Sequence, residues 1–479
     1  MRSTGRARIA GLLLLAWLGV ARLVRADEPI SAREPRLMSE TAEITSVVDA
    51  FDDGDPFDLN LLIGFSQSWK HANIRRETQI AQPGLATGGF IPATENIASY
   101  SSTVSTLLVG ADVGLYRDLA LVLRLPVILN WSQSLGDLNG SQAVDGQLLQ
   151  DPTGAPIFTV PFSSPRRSGV DYLAAGLDWG IYNQRRDPAK VTWVVGVEGR
   201  FALGAPLHAC NANPPPGVAT CPDPVTGQNR DAGISRGVES IIVKSVWSRR
   251  FGYVEPYTGF WAQADFPNGN SDLGKWNPTQ NIERSPPLLG SVALGLEVVP
   301  YERREQFQRM SADFHFKGTY HSPGRDYSEL FDALGSSQAP SLRTPNPAGY
   351  VANPGAGPPS VADPASERVY FTGVTEEQAY GSFTVSAAAT WQAGEYVKFT
   401  LGSAVTYAQP HLVTAADSCN SSITDPAQAG PCRGTLNGQS VVAGAPNPDH
   451  RDVIDLPGRR FSVDDTTVVD LYVMGIVMF

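Results

Sequence analysis

After residue 26 the sequence lacks any uninterrupted apolar run approaching 18 residues. That excludes a membrane-spanning helix, which needs about 20. The longest candidate, 119–129, is broken by Arg124 and Pro126. Charge is also scarce. Of 479 residues, 18% are Asp, Glu, Lys or Arg and 42% are hydrophobic, so the chain is too apolar for disorder. Basic residues are the minority, 37 against 48 acidic, which speaks against nucleic acid as a partner. There are four Cys and six His. The Cys lack the short C-x₂₋₄-C spacing of zinc knuckles, and no metal ligand set is assigned. No Gly-rich phosphate loop stands at a strand–helix junction, and no cofactor is implied. Gly (46) and Pro (37) are abundant, too much so for a helical protein.

The first 26 residues read as a secretory signal peptide. Arg2, Arg6 and Arg8 form a basic start, 9–20 is apolar, and Val24-Arg25-Ala26 offers a cleavage site. The apolar part is too short for an anchor. Its removal leaves 32 basic against 48 acidic residues, a net charge of −16. Residues 27–56 read as a periplasmic N-terminal leader with an acidic knot at Asp52, Asp53 and Asp55. The knot does not have the spacing of an EF-hand calcium loop, and a solvated linker is the simpler reading.

From residue 57 a period of two sets in, apolar on one face and polar or glycine on the other. In an extended strand such residues separate onto opposite faces. The pattern marks strands at about 57–70, 104–116, 119–132, 169–182, 191–204, 237–247, 253–266, 288–299, 307–321, 380–392 and 397–408. A closing strand begins near Phe461. Its last stretch, 468–479, sets Val469, Leu471, Val473, Gly475, Val477 and Phe479 on one face and Asp470 and Tyr472 on the other. Short turns near 117–118, 184–190, 248–252, 300–306 and 394–396 alternate with long loops at about 71–103, 133–168, 205–236, 267–287, 322–379 and 409–460. Trp131, Trp179, Trp247, Trp391 and Tyr407 fall near strand ends, as an interfacial girdle would.

This pattern, with its final aromatic, resembles the bacterial outer-membrane β-barrel class, porin-like or transporter-like, with no narrower family indicated. The resemblance covers 57–479. It implies an all-β fold: a transmembrane antiparallel up-and-down barrel of about 12 strands, or 14 if a hairpin is hidden, with short periplasmic turns and long extracellular loops. It places the chain in the cell outer membrane of a Gram-negative bacterium, among lipid and lipopolysaccharide. It implies Phe479 as a signal to the barrel assembly machinery, and small solutes as cargo. The oligomeric state is not legible.

Inward-facing positions supply the candidate pore lining: Asp112, Arg124, Asp178, Glu198, Arg200, Lys244, Glu297, Arg309, Asp313, His315 and Lys317, with Glu255 and Asp265 also inward. These mixed charges either steer solutes through an open pore or pair across a filled lumen. Asp313, His315, Arg309 and Lys317 share one strand face and are expected to form one ion-pair network. Cys210 with Cys221 and Cys419 with Cys432 are expected to form local disulfides in two external loops. The rival for the first pair is a metal site with His208. The longest loop carries a helix signal at 328–334 and either plugs the lumen or lies on the surface. Two twelve-stranded alternatives remain: a closed barrel acting through its loops, and a hydrolase. His321 and Ser322, being adjacent, point to opposite faces, so no catalytic residue is assigned and the chain is read as a channel that is not an enzyme.

Overall fold

The structure is a computed structural model. It describes residues 41–50, 58–82, 89–136, 138, 146–274, 285–347, 368–420, 432–436, 439–442 and 445–479. The signal peptide, the acidic knot and most of the leader lie outside them.

Twelve antiparallel strands form the barrel. They are β1 Leu59–Gln82, β2 Gly89–Tyr116, β3 Leu119–Gly136, β4 Tyr172–Tyr182, β5 Thr192–Ala202 and β6 Val238–Ser248. The second half is β7 Val254–Pro267, β8 Leu289–Arg303, β9 Gln308–His321, β10 Tyr380–Gln392, β11 Val397–Ala408 and β12 Phe461–Met478. Each strand pairs with its neighbours in the chain. β12 pairs back onto β1, with Phe65 opposite Val473, so the sheet closes. Closure satisfies every edge amide without water, which a bilayer requires.

The outward faces form an apolar belt. Leu61, Ile63 and Phe65 on β1, Phe314 and Phe316 on β9, and Leu471 and Val473 on β12 are all exposed. In water such a belt would be a large liability; facing lipid tails it costs nothing. Aromatic residues rim it: Tyr116, Trp179, Tyr182, Trp391 and Tyr396 at the short-turn end, Trp69, Tyr320 and Tyr407 at the other. Trp193 stacks on Trp247 at 6.0 Å, and Trp247 meets Phe260 edge-on at 5.7 Å. No described helix is long and apolar enough to cross a membrane.

Two departures from the sequence reading have physical causes. β1 and β2 run on as a paired ribbon to Gln82 and Gly89, where a long loop was expected. Above the bilayer a strand no longer needs an apolar outer face, so the outward alternation ends while backbone pairing continues and Ala72, Ile74, Ala98 and Tyr100 are buried in the cap core. Trp131, expected in the outward girdle, faces inward. A bulge shifts the β2–β3 register between Ser105 and Thr106, and Trp131 then pairs with the inward Val104. One extra residue reverses the faces of everything beyond it.

The apolar core sits above the barrel. Ile74, Ile97, Tyr100 and Leu135 from the tall ends of β1–β3 pack with Ile157, Phe158, Leu330, Leu334 and Ile454 from the loops and with Phe461 at the start of β12. A second cluster joins Leu207, Val238, Leu273, Phe331 and Val374, with Trp131 against it. The long loop supplies helices α1 Phe331–Gly335 and α2 Pro340–Arg343; α3, Asp452–Asp455, belongs to the last loop. α1 is the expected loop helix, begun three residues later than the 328–334 signal and including Gly335. The loops are thus a packed cap.

Candidate functional site

The inward wall of the barrel is lined by ion pairs. Arg124 Nη2 donates to Asp112 Oδ2 at 2.9 Å. Lys244 Nζ lies 2.7 Å from Asp178, Arg200 Nε 2.7 Å from Glu198, and Arg309 Nη2 2.8 Å from Glu297. Asp178 and Lys244 stand on β4 and β6, two strands apart. Gly196 on β5 is opposite both, and a Cβ there would lie 2.3 Å from Asp178 Oδ1 and 2.5 Å from Lys244 Cε. The glycine is the saddle over which the pair meets.

The expected single network on β9 is not what forms. Arg309 turns to Glu297 on β8. Lys317 lies over the inward Trp261, its Nζ 5.7 Å from the ring centre, and among the described residues it has no carboxylate in ion-pair range. Asp313 and His315 join a different set. His315 Nδ1 is 2.7 Å from Asp313 Oδ1, and His315 Nε2 is 2.7 Å from Ser386 Oγ on β10. Tyr257 on β7 donates its hydroxyl to Asp313 Oδ2 at 2.5 Å. It reaches across Gly295, where a Cβ would fall 2.2 Å from the phenol ring. Alternation put Asp313, His315 and Ser386 on the inward face. Nothing in the sequence set their register, because β9 and β10 are joined by 58 residues with no turn to count from.

At the periplasmic end, residues 41–50, read from sequence as part of a solvated periplasmic leader, lie against the inner wall. Glu43 N–H donates to Glu297 Oε2 at 2.9 Å, and Thr45 Oγ1 meets Ser248 Oγ at 2.8 Å. Lys398 Nζ on β11 donates to Glu43 at 2.8 Å. The segment then crosses to the short turns, where Ala50 N–H bonds Arg117 O between β2 and β3 at 2.9 Å and Asp49 takes Arg186, between β4 and β5, at 2.7 Å. Burial works against ionisation of Glu43, but Lys398 and Arg309 outweigh it and hold the carboxyl below its ordinary range.

At the extracellular end the cap is pinned by one carboxylate. Asp332 of α1, 2% exposed, accepts both Arg167 Nη atoms, at 2.9 and 2.7 Å, and the Cys210 N–H at 2.8 Å. Gln133 Nε2 donates to it as well. Arg167 stacks 5.3 Å from the Trp131 ring centre. Three loops therefore meet at Asp332. Beside α1 lies a cavity of about 260 Å³ lined by Lys70, Tyr100, Ser102, Glu329, Trp131 and Phe331, with Trp131 Nε1 donating to Ser102 Oγ at 3.3 Å. Burial raises the Glu329 carboxyl, and the Lys70 ammonium at 2.5 Å more than reverses this, leaving it below its ordinary range.

The disulfides Cys210–Cys221 and Cys419–Cys432 are both present, as expected. That removes the metal reading of the first pair; His208 instead faces Asp272 at 3.2 Å. His321 and Ser322 are separated as expected. His321 Nε2 meets Ser382 Oγ at 3.3 Å, while Ser322 Oγ accepts from Leu288 N–H. Phe479 pairs with Leu59 and its side chain is exposed.

No family model matches the chain, and no curated protein matches it. Solved structures similar to it include an outer-membrane channel of Pseudomonas putida F1, at 8% identity and a TM-score of 0.33, with 88% of this chain and 95% of that one covered. A Pseudomonas aeruginosa FadL homologue follows at 8% and 0.30, covering 95% of each. The outer membrane protease OmpT from Escherichia coli stands at 6% and 0.25, covering 88% of this chain and 97% of that one. At these values the likeness carries no argument about activity. The expectation that the chain is not an enzyme is corrected here: the similar structures include an outer membrane protease beside channels. A closed twelve-stranded barrel with a rimmed apolar belt makes the chain an outer-membrane β-barrel.

Proposed function

We propose that this barrel is a gated, weakly selective passage for small amphipathic solutes across the outer membrane. The observation that carries the reading is the cavity beside α1, whose lining joins Lys70, Ser102 and Glu329 to Trp131 and Phe331 at the extracellular end of the barrel. Mixed linings of this kind suit solutes with one polar end. Below it, Asp112, Asp178, Glu198 and Glu297 each pair with a cation, so the wall carries many charges and little net bias. Such a wall favours dipolar solutes over ions of one sign. The cap and residues 41–50 act as the two gates. The outward belt meets lipid and lipopolysaccharide, and the strand ending in Phe479 addresses the assembly machinery.

A second reading, a closed barrel working through its loops, is favoured by the 41–50 segment spanning the periplasmic end. Planar-bilayer conductance separates the two. Passage predicts small steps in the mature protein, and larger ones when 41–50 are removed or Asp332→Ala loosens the cap. Correctly inserted protein silent in all three forms leaves the closed barrel.

A further inference from the structure

The passage reading leaves unused the set on β9 and β10. Asp313 and His315 are two residues apart, so both point into the lumen, and Ser386 is the direct cross-strand partner of His315. The two contacts of 2.7 Å run in series, carboxylate to Nδ1 and Nε2 to hydroxyl. With Asp313 accepting the Nδ1 proton, Nε2 keeps its lone pair and Ser386 donates to it. The Tyr257 hydroxyl fixes the other carboxylate oxygen. The imidazole side chain is 27% exposed and therefore reachable from the lumen. Ala388 lies opposite Asp313 and Ala404 opposite Ser386, so these neighbouring inward positions are small, and the Tyr472 phenol leans over Gly402 beside Ala388.

We propose that Ser386, His315 and Asp313 form a nucleophile, base and orienting carboxylate that hydrolyse small carboxylic esters admitted to the lumen. The constellation is recognised by its roles and distances, whatever fold carries it. Ser386 Oγ attacks the ester carbonyl carbon while its proton passes to His315 Nε2. The tetrahedral adduct collapses, the carbon–alkoxy bond breaks, and the leaving alcohol takes the proton from His315. Water then attacks the acyl–Ser386 ester, giving one proton to His315 and releasing the acid as Ser386 regains it. The net change is ester plus water to acid plus alcohol. Main-chain amides of β9, β10 and β11 are engaged in the ladder, so charge on the carbonyl oxygen must be met by side chains. Lys317, the next inward residue beyond His315 on β9, holds its ammonium over Trp261 on β7 and meets that charge by swinging back toward β10.

The test uses the refolded mature chain in detergent, with insertion competence judged by heat-modifiable migration. A fluorophosphonate probe is applied and the labelled residue mapped by mass spectrometry; hydrolysis of p-nitrophenyl butyrate is followed in parallel. Label on Ser386 is expected, absent in Ser386→Ala. Hydrolysis should fall roughly 10²-fold or more in Ser386→Ala, His315→Gln and Asp313→Asn. Ser382→Ala, which removes a hydroxyl bonded to a His without a carboxylate, should leave both intact. A folded wild type that takes no label and hydrolyses nothing overturns the proposal, as does hydrolysis that survives Ser386→Ala. The wild-type mapping decides even where a variant fails to fold. Conductance and hydrolysis fail separately, so neither result stands in for the other.

Discussion

Asp332→Ala is the sharpest perturbation of the cap. The carboxylate and Arg167 are 2% and 3% exposed, and the guanidinium meets it through two hydrogen bonds, at 2.9 and 2.7 Å. Alanine leaves a buried guanidinium without its counter-charge, and the Cys210 N–H and Gln133 amide without an acceptor. Removing one partner of a buried pair costs about 3–5 kcal/mol. At about 1.4 kcal/mol per tenfold, cap opening should become roughly 10²- to 4 × 10³-fold more populated, while the barrel below is untouched. Hydrogen exchange reads this directly. The Leu334 and Ser336 amides, bonded to Leu330 O and Asp332 O, should lose protection, and amides of β10 and β11 should not. A double replacement of Arg167 and Asp332 by apolar residues of similar size should recover much of the loss, because no charge is then left unpaired. Unchanged protection at α1 in the single variant would refute the pin. So would equal loss in α1 and β10, which would mean that cap and barrel open together.

Further outcomes follow from the same geometry. Burial lifts the Glu376 carboxyl to about 8, against the pull of Arg325; as the folded value is raised for an acid, cap stability should be full below about pH 4.5 and decline through about pH 8. Protease susceptibility of 322–379 should rise over that window, and Glu376→Gln should flatten the curve. Reducing Cys210–Cys221, which closes a span of 11 residues, should loosen its loop by about 2–3 kcal/mol, seen as faster exchange at 205–236 with barrel migration unchanged. Gly295→Val forces Tyr257 off its saddle and away from Asp313; urea titration in vesicles should show about 1–3 kcal/mol lost, and no change would mean the tyrosine yields freely. Lys317→Glu should shift any bilayer current toward cations, and an unmoved reversal potential would remove Lys317 from the solute path.

What was legible in the sequence was whatever lipid dictates. β10 and β11 match the alternation at both ends, because a bilayer enforces an apolar residue at every second position and a short turn fixes where the strands reverse. Where lipid stops, legibility stops. The tall ribbon of β1 and β2 turns Ile74, Ile97 and Tyr100 into the cap core rather than toward lipid, and residues 41–50 have no period at all, so neither announced its place. Trp131 shows the opposite failure: the alternation is regular in sequence, but one bulge residue reverses it.

The lumen obeys a different rule, and this explains why its chemistry was hidden. Lipid constrains only the outward face, so inward positions are free to be polar, glycine or aromatic. Their meaning depends on which neighbour the register brings. Gly196 and Gly295 look alike in sequence, yet one lets Asp178 reach Lys244 and the other lets Tyr257 reach Asp313. Both are bare backbone on the strand between two partners, which shortens the reach across the wall to one side chain from each. Polar groups there keep access to lumen water, so they escape the full cost that burial in a dry core would impose. A barrel wall can therefore hold a carboxylate, an imidazole and a hydroxyl in series where a soluble core of this apolarity would hold leucines. The register of β9 against β10 is what turns three ordinary inward residues into that series. Moving it by two residues would face His315 with Thr384 or Ala388, and the hydrogen-bond chain from Asp313 to Ser386 would be gone.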